Sequence, residues 1–514
     1  MVPVTFSSSS LLRRLQVIAR RSTWLIVAGY GLFLLLNLSL LAFRLETYPA
    51  VWFDEGYKMN AARTLAERGI YGTYTLRGEL PFDPGISSGP ADVIPAALSF
   101  RWFGAGVLPA RWVSAAFTIL ASAALLSLAV YLYGFWPGLL TALVVSAWPA
   151  IGGVSFLLIG RQVLGEPASL ALVLVGLRLW FAGWNRQQIH LDAAAGLCIG
   201  LGILSKSQIA IALLPTLLVI GLGRWRWLQT SALKAFLPTI LALLVFGAWM
   251  LLGRLMTSAA VQQENSAMLW EAISANLLTP LLGRALTGSG LLLASIMLAG
   301  TAGGIWYVRQ PVERLTSADD RRWAAGTLTL FVVLTLLWFT LFSIGWPRYA
   351  FFGLVVALLL LGRGVMSLVQ WLNLRARLPY WAAASALIVA AVITNVLPAA
   401  RYDQDGQAAQ AVAAYIDQRV PAQAVVETWE WELTALSAHT AYHLPHQRYL
   451  FEAVRQFSRG QAFNLKYDVL QADPQYLVVG AFGVWTNLYP DAEIAAHFMP
   501  EARFGTYTIY RRTF

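Results

Sequence analysis

Two carboxylates stand side by side in Trp52-Phe53-Asp54-Glu55-Gly56, a few residues beyond an uncharged apolar run at residues 24–43. A run of that length is what an α-helix needs to cross a hydrocarbon core of ~30 Å, which puts the pair at a membrane surface. A carboxylate held there can act as a general base toward a hydroxyl, and a second acid beside it can raise its pKa by like-charge repulsion. Four other ionisable residues, Arg161, Glu166, Lys206 and Arg348, stand at the ends of later apolar segments. Charges in such places are costly unless they are paired or face a cavity, so they are read first as a functional site. The plainer alternative is a structural ion pair, for example Lys206 with Glu166. Trp52, Tyr57 and Lys58 flank the acid pair and are candidates for contacting the ligand it acts on.

The elements that must position these residues follow from composition. Of 514 residues 58% are hydrophobic and 12% charged, against about 25% charged in ordinary soluble domains. The chain is therefore a polytopic α-helical membrane protein. Its net charge of +11 is explained by Arg and Lys in cytoplasmic loops, which excludes nucleic acid as the natural partner. The single cysteine, Cys198, permits neither an intrachain disulfide nor a cysteine metal cluster. Arg13, Arg14, Arg20 and Arg21 precede the first apolar run, which is too long for a signal peptide and lacks a small-residue cleavage site. It reads as an uncleaved first span with a cytoplasmic N-terminus, leaving Asp54 and Glu55 outside.

Residues 44–109 form a long extracytoplasmic loop, with Glu46, Glu67, Glu79, Asp83 and Asp92 and turn signals at Pro81, Pro84-Gly85 and Gly89-Pro90. A short helix is expected around residues 55–68. Residues 91–103 are apolar but short and contain Asp92, Pro95 and Arg101, so they are expected to lie along the membrane surface. Spans near 110–132, 136–151, 166–183, 191–204, 208–223, 236–254, 286–307, 324–343, 349–368 and 380–398 bring the crossings to about eleven, with the fifth and sixth short. Cytoplasmic loops then hold Arg186; Arg224, Arg226 and Lys234; Arg309, Arg314, Arg321 and Arg322; Arg375 and Arg377, a positive-inside pattern that leaves the C-terminus outside. Outward loops at 152–165, 205–207, 257–284 and 345–348 gather the isolated charges on one face with Asp54.

The transmembrane domain is expected at 1–398 and a small soluble α/β domain, extracytoplasmic, at 399–514. Residues 407–418 have helical apolar spacing, 424–426 and 476–479 read as buried strands, and 506–511 alternates like an edge strand. His439 and His443 could share a helical face as metal ligands do, with His446 nearby, but Pro445 interrupts the stretch. Trp429, Trp431 and Tyr442 are read as core rather than as a sugar platform. No metal site and no certain cofactor is indicated; a divalent metal is compatible with the sequence without being called for.

The order of several motifs resembles the GT-C glycosyltransferases over about residues 24–370. These are Trp52-Phe53-Asp54-Glu55-Gly56; Ser88-Gly89-Pro90 with an apolar stretch to Trp102-Phe103-Gly104; Ala110-Arg111-Trp112; Gly160-Arg161 through Glu166-Pro167; Gly202 through Ser205-Lys206; and Arg348-Tyr349. Within that superfamily the chain is similar to bacterial relatives of protein O-mannosyltransferases and of lipid A aminoarabinose transferases, the family 39 type. Ser88-Gly89-Pro90 replaces a His-Pro-Pro-like turn, and Ser205-Lys206 the commoner Thr-Lys.

The resemblance implies an inverting transfer of a hexose or pentose from a polyprenyl phosphate to a lipid, glycan or protein acceptor, on the outer face of the plasma membrane. Asp54 is then the general base, Glu55 orients the acceptor or tunes Asp54, and Glu166 fixes a cation or binds acceptor. Lys206 and Arg348, with Arg161, balance charge on the departing phosphate. The alternatives from other classes are a polyprenyl-linked glycan flippase and a non-catalytic partner in envelope glycan assembly. A flippase would call for charges at mid-membrane and similar halves, neither of which the sequence shows clearly.

Overall fold

The computed structural model describes residues 8–82, 89–186, 188–259, 288–309, 317–376, 379–402, 404–458 and 460–513, with short pieces at 262–263 and 266–267. Asp83, Pro84, Gly85, Ser88, Arg314 and Arg377, named above, and much of the loop at 257–284 lie outside the described residues.

Among the described residues, 9 helices are long and apolar enough to cross a membrane. The helices in order through the apolar part are α1 (Ser8–Ala42), α2 (Phe53–Arg68), α3 (Pro90–Phe103), α4 (Val107–Tyr133), α5 (Phe135–Ala147), α6 (Phe156–Gly160), α7 (Gly165–Arg186) and α8 (Ile189–Ser205). They continue with α9 (Ala210–Trp227), α10 (Ala232–Met256), α11 (Gly288–Arg309), α12 (Ser317–Leu341), α13 (Phe351–Leu360), α14 (Gly362–Ala376) and α15 (Tyr380–Arg401). Each expected span coincides with an apolar helix, but α5 and α8 are the short ones. The expectation that the sixth span is short is corrected: it runs from Ser207 to Trp227, 21 residues. It passes through Arg224 because that guanidinium is sheltered 4.7 Å from the Trp184 ring. The third span is shorter than expected because α5 stops at Ala147, where Trp148 turns extended ahead of Pro149.

Two elements of the first loop bear on the site. α2 starts at an extended Trp52, so Asp54 and Glu55 fall in its first turn, where unpaired N–H groups favour negative charge. It ends at Gly69 with φ 72, whose N–H closes onto Leu65 O. A hairpin of β1 (Gly72–Thr75) and β2 (Gly78–Pro81) follows, and Leu76 N–H donates to Tyr442 O at 2.8 Å, tying the hairpin to the C-terminal unit. α3 has 14 residues, a rise of about 21 Å that falls short of the membrane core, and exposes Trp102 and Phe103.

The C-terminal part carries β3 (Val426–Thr428), β4 (Tyr442–His443), β5 (Tyr476–Val479), β6 (Phe498–Phe504) and β7 (Tyr507–Arg512) in one sheet of order β4-β3-β5-β7-β6. β4, β3 and β5 run parallel, while β7 is antiparallel to both β5 and β6. The segment expected as an edge strand is thus interior, and β6 is the edge. The associated helices are α16 (Ala408–Arg419), α17 (Trp431–Leu436), α18 (Gln447–Ser458), α19 (Ala481–Thr486) and α20 (Asp491–His497). Trp429, Trp431 and Tyr442 are buried in this unit's core, as packing residues should be. The helical histidine face does not form. His443 lies in β4 with Nδ1 2.5 Å from Glu427 Oε2, and His439 Nε2 is 2.9 Å from Ala424 O.

This unit shares its core with α2. Phe53 and Tyr57 belong to the same cluster as Trp429, Trp431 and Ile509, and Phe53 stacks on Phe482 at 3.9 Å. A Cβ on Gly56 would stand 2.0 Å from Glu432 N, so the glycine after the two acids is what allows α2 to meet α17.

Behind that contact the side chains of Glu430 and Glu432 are buried close to one another. Glu430 accepts from Gly480 N–H and Gly483 N–H, and Glu432 from Tyr507 O–H at 2.6 Å. Burial, together with the neighbouring charge of Glu430, pushes the Glu432 carboxyl well above the usual carboxylate range. An acid whose folded pKa is raised stabilises fully below its unfolded value of about 4.3 and loses that contribution as pH climbs through the folded one. The unit is therefore expected to weaken as pH rises through the neutral range. Glu432→Gln, which keeps an acceptor for Tyr507, should flatten the dependence in thermal unfolding followed across about pH 5 to 8. A slope unchanged by the substitution would contradict this.

Candidate active site

Four helix ends bring the isolated charges together. Glu166 sits in the first turn of α7. Lys206 is the extended residue that ends α8, with φ −150 and ψ 94. Arg348 lies in a 3-10 turn, Pro347–Ala350, that leads into α13. The acids at the N-termini of α2 and α7 and the cation at the C-terminus of α8 complement the helix dipoles, whereas Arg348, a cation ahead of α13, is held by the carboxylates it meets.

The partners form a chain. Arg348 Nη2 lies 2.5 Å from Asp54 Oδ2, and its Nε lies 3.4 Å from Glu166 Oε1. Lys206 Nζ stands 3.0 Å from the same Glu166 oxygen. Lys58 approaches the group from α2 while pairing with Asp92 of α3 at 2.8 Å. Gly165 makes the meeting possible: a Cβ there would fall 2.0 Å from Ser205 O and 3.0 Å from Lys58 Nζ.

Burial divides the labour. The Glu166 side chain is 1% exposed, those of Lys206 and Arg348 12% and 13%, and that of Asp54 31%. Asp54 is the acid a solute can reach, while Glu166 sits behind the two cations. Arg348 Nη1 is buried without a hydrogen-bond partner among the described residues, and its guanidinium lies 5.1 Å from the Trp52 ring. From Glu166, Lys206 and Arg348 a narrow cleft runs between helices, walled by Phe331, Trp338 and Phe352. The cleft has a volume of about 10 Å³, room for about one water molecule, with N–H donors at its polar end and apolar side chains along it.

The remaining sequence candidates are held by partners outside the cluster of Asp54, Arg348, Glu166 and Lys206. Glu55, fully buried, accepts from Arg111 Nη2 at 2.7 Å, Arg111 Nε at 3.0 Å and Val163 N–H at 2.8 Å. Arg161 does not join the cation group. It donates to Phe43 O at 2.7 Å and to Leu40 O, closing carbonyls at the end of α1. Tyr57 faces the C-terminal unit, where its hydroxyl accepts from Gln447 Nε2 at 3.0 Å. Trp52 donates its indole N–H to Gln162 Oε1 at 2.9 Å. Among the described residues, no group of three or more His, Cys, Asp or Glu side chains is placed to hold a metal.

The residues that sequence reasoning passed over are those that lock this geometry, Arg111 above all. It also donates to Leu45 O at 2.9 Å, so one guanidinium joins α1, α2 and α4. Its signals were a charge at the head of an apolar run and the Ala110-Arg111-Trp112 motif, neither of which gave it a role. Removing one member of such a buried pair typically costs about 3–5 kcal/mol, because the other charge is left uncompensated. Glu55→Ala is accordingly expected to lower thermal stability in detergent far more than Asp54→Asn. Equal stability of the two variants would contradict the anchoring geometry.

Comparison with known proteins follows the same lines. Residues 94–252 match the family model described as dolichyl-phosphate-mannose-protein mannosyltransferase. Curated proteins give no match. Among solved structures, the fold is similar to ArnT from Cupriavidus metallidurans bound to undecaprenyl phosphate, with TM-score 0.64 and 14% identity over 95% of this chain and 98% of that one. It is also similar to the archaeal oligosaccharyltransferase AglB from Archaeoglobus fulgidus in complex with an inhibitory peptide and a dolichol-phosphate. There the TM-score is 0.55 and the identity 14%, over 96% of this chain and 74% of that one. The chain thus shares the GT-C fold of these two solved structures, and about a third of it matches the mannosyltransferase family model.

Proposed function

We propose that this GT-C chain is an inverting glycosyltransferase that moves a sugar from a polyprenyl-phosphate donor to a lipid, glycan or protein acceptor at the outer face of the plasma membrane. The observation that carries the reading is the meeting of Asp54, Arg348, Glu166 and Lys206 at the polar end of an apolar cleft. The two solved relatives named above were captured with undecaprenyl phosphate and dolichol-phosphate, which is donor chemistry of this kind.

In this reading the phosphate meets Arg348 and Lys206, and the cleft between Phe331, Trp338 and Phe352 must widen to take the start of the prenyl chain. Arg348 Nη1 has no acceptor to give up among the described residues, and a phosphate oxygen supplies one. As the phosphate takes up the guanidinium, Asp54 is released to accept the proton of an acceptor hydroxyl. The hydroxyl oxygen bonds to C1 of the sugar, the C1–O bond to the phosphate breaks, and the electron pair leaves with the lipid phosphate, whose charge the two cations balance. Attack opposite the leaving group inverts the anomeric centre, unlike the paired-carboxylate retaining hydrolases. Glu166 holds both cations in place, and Glu55 anchors α2 to Arg111 and to the α6–α7 connection. In the same reading Trp52, under Arg348, meets the donor sugar and Lys58 stands on the approach from α2, while Tyr57 packs α2 against the C-terminal unit.

The experiment that tests this is mass spectrometry of surface glycolipids and glycoproteins from cells with and without the gene. Loss of one sugar-bearing species, restored by the wild-type gene but not by Asp54→Asn, is expected; an unchanged profile would count against transfer to the cell surface. Orientation is checked separately. With Cys198 replaced, cysteines at the exposed positions Arg68 and Arg321 are expected to react oppositely with an impermeant thiol reagent in intact cells, position 68 labelling and position 321 not. Equal labelling would place the cluster away from the outer face or undo the span parity.

A further inference from the structure

α18 lies across the candidate site. At its first residue Gln447 bonds to Tyr57, one turn along α2 from Asp54. Near its other end the Phe457 ring is 5.7 Å from that of Trp346, two residues before Arg348. The ten residues between these contacts span about 15 Å. One helix of the C-terminal unit thus bridges the two elements that carry the proposed base and the proposed phosphate ligand.

Along this helix opens a cleft of about 330 Å³, lined by Arg448, Tyr449, Phe451 and Glu452 and, from the following segment, Asn464 and Lys466. That volume falls within the range of pockets that take small ligands. Its charge is one-sided. Glu452 is occupied by Arg455, at 2.6 and 2.7 Å, and by Gln456 Nε2 at 2.6 Å. Arg448 donates to Tyr449 OH at 2.8 Å, and neither it nor Lys466 forms an ion pair among the described residues. Two cations that pair with no carboxylate among the described residues, two aromatic rings and an amide that both donates and accepts make a set suited to a hydroxylated ring bearing an anion, beside a Glu452 already taken up by Arg455.

We propose that this cleft binds the acceptor, as a saccharide carrying an anionic group, either phosphate or carboxylate. The inference rests on the transferase reading for the word acceptor, and on Arg448, Lys466 and the cleft alone for the ligand class.

The test uses the full chain in lipid nanodiscs, with glucose 6-phosphate, glucuronate, glucose and inorganic phosphate as probes in saturation-transfer NMR. At least one of the two anionic sugars is expected to bind saturably, and which one identifies the anion. Glucose and inorganic phosphate should each bind about tenfold more weakly or not at all. The variant Arg448→Gln/Lys466→Gln, altered only at exposed positions, should weaken the anionic sugar about tenfold or more, while Asp54→Asn leaves it unchanged. Equal binding of glucose, equal binding of inorganic phosphate, or indifference to the double substitution would overturn the site. In transfer assays the double variant should raise the acceptor KM and spare kcat; an unchanged KM would overturn its assignment to the acceptor. Failure of the transferase reading shows differently, as full turnover in Asp54→Asn with binding intact.

Discussion

Replacing Asp54 by asparagine is expected to lower turnover by about 10²-fold or more while the protein still purifies intact. The amide keeps the size of the side chain and can still accept from Arg348, so the ion-pair geometry at 2.5 Å is altered little, but it cannot take up a proton. Because Asp54 is the partly exposed member of the group, its neutralisation strands no deeply buried cation; Arg348 still faces Glu166. The loss should appear in kcat, at saturating donor and acceptor, rather than in either KM. Near-normal turnover would remove Asp54 from the chemistry. Glu166 would then be the next candidate, hard as it is to reach from solution with its side chain 1% exposed.

The second large effect is expected at Arg348. Its guanidinium spans two acids at once, Nη2 toward Asp54 and Nε toward Glu166, with Nη1 left over. Lysine keeps the charge but offers a single ammonium, which cannot satisfy both carboxylates and a phosphate in one plane. Arg348→Lys is expected to reduce kcat/KM for donor by about 10–100-fold, the loss of one or two charge-assisted hydrogen bonds, with the acceptor KM nearly unchanged. Lys206→Met should act in the same direction. If both side chains merely anchored helix ends at the interface, varied-donor kinetics would stay normal. A defect confined to the acceptor would likewise reject the phosphate assignment.

The residues of the cluster were legible because a charge at the end of an apolar run is rare, and span parity assigns every such charge to one face or the other. Asp54, Glu166, Lys206 and Arg348 emerged in that way, although 294 positions separate the first from the last. The division between Asp54 and Glu55 was not legible. Adjacent residues on a helix point about 100° apart, so only one of two neighbouring acids can face a given site, and nothing in the motif says which. The structure decides it through Arg111, a partner 56 residues away. Arg161 misled for a related reason: it stands near Glu166 in sequence, yet its guanidinium is drawn to the carbonyls that end α1.

The C-terminal unit was legible as alternating helices and strands but not in its order or its attachment. β6 was missed because its residues alternate toward solvent at the sheet edge and carry little apolar signal, which left the interior β7 looking like the edge. Gly56 read only as the tail of a motif. Its reason is the backbone of Glu432, which no local pattern could connect to it. The same blindness hid α18, whose bridging role depends on one contact to α2 and one to Trp346.

The measurement that bears most directly on the central claim is the release of free polyprenyl phosphate by the purified protein in liposomes, followed by mass spectrometry. The donors are a pool of polyprenyl-phosphate sugars from the native membrane, and the acceptor fraction comes from the same source. The proposed mechanism predicts acceptor-dependent release by the wild type, a product of inverted anomeric configuration, and release reduced about 10²-fold or more in Asp54→Asn. Release that is undiminished in that variant, or a product that retains the donor's configuration, would contradict it.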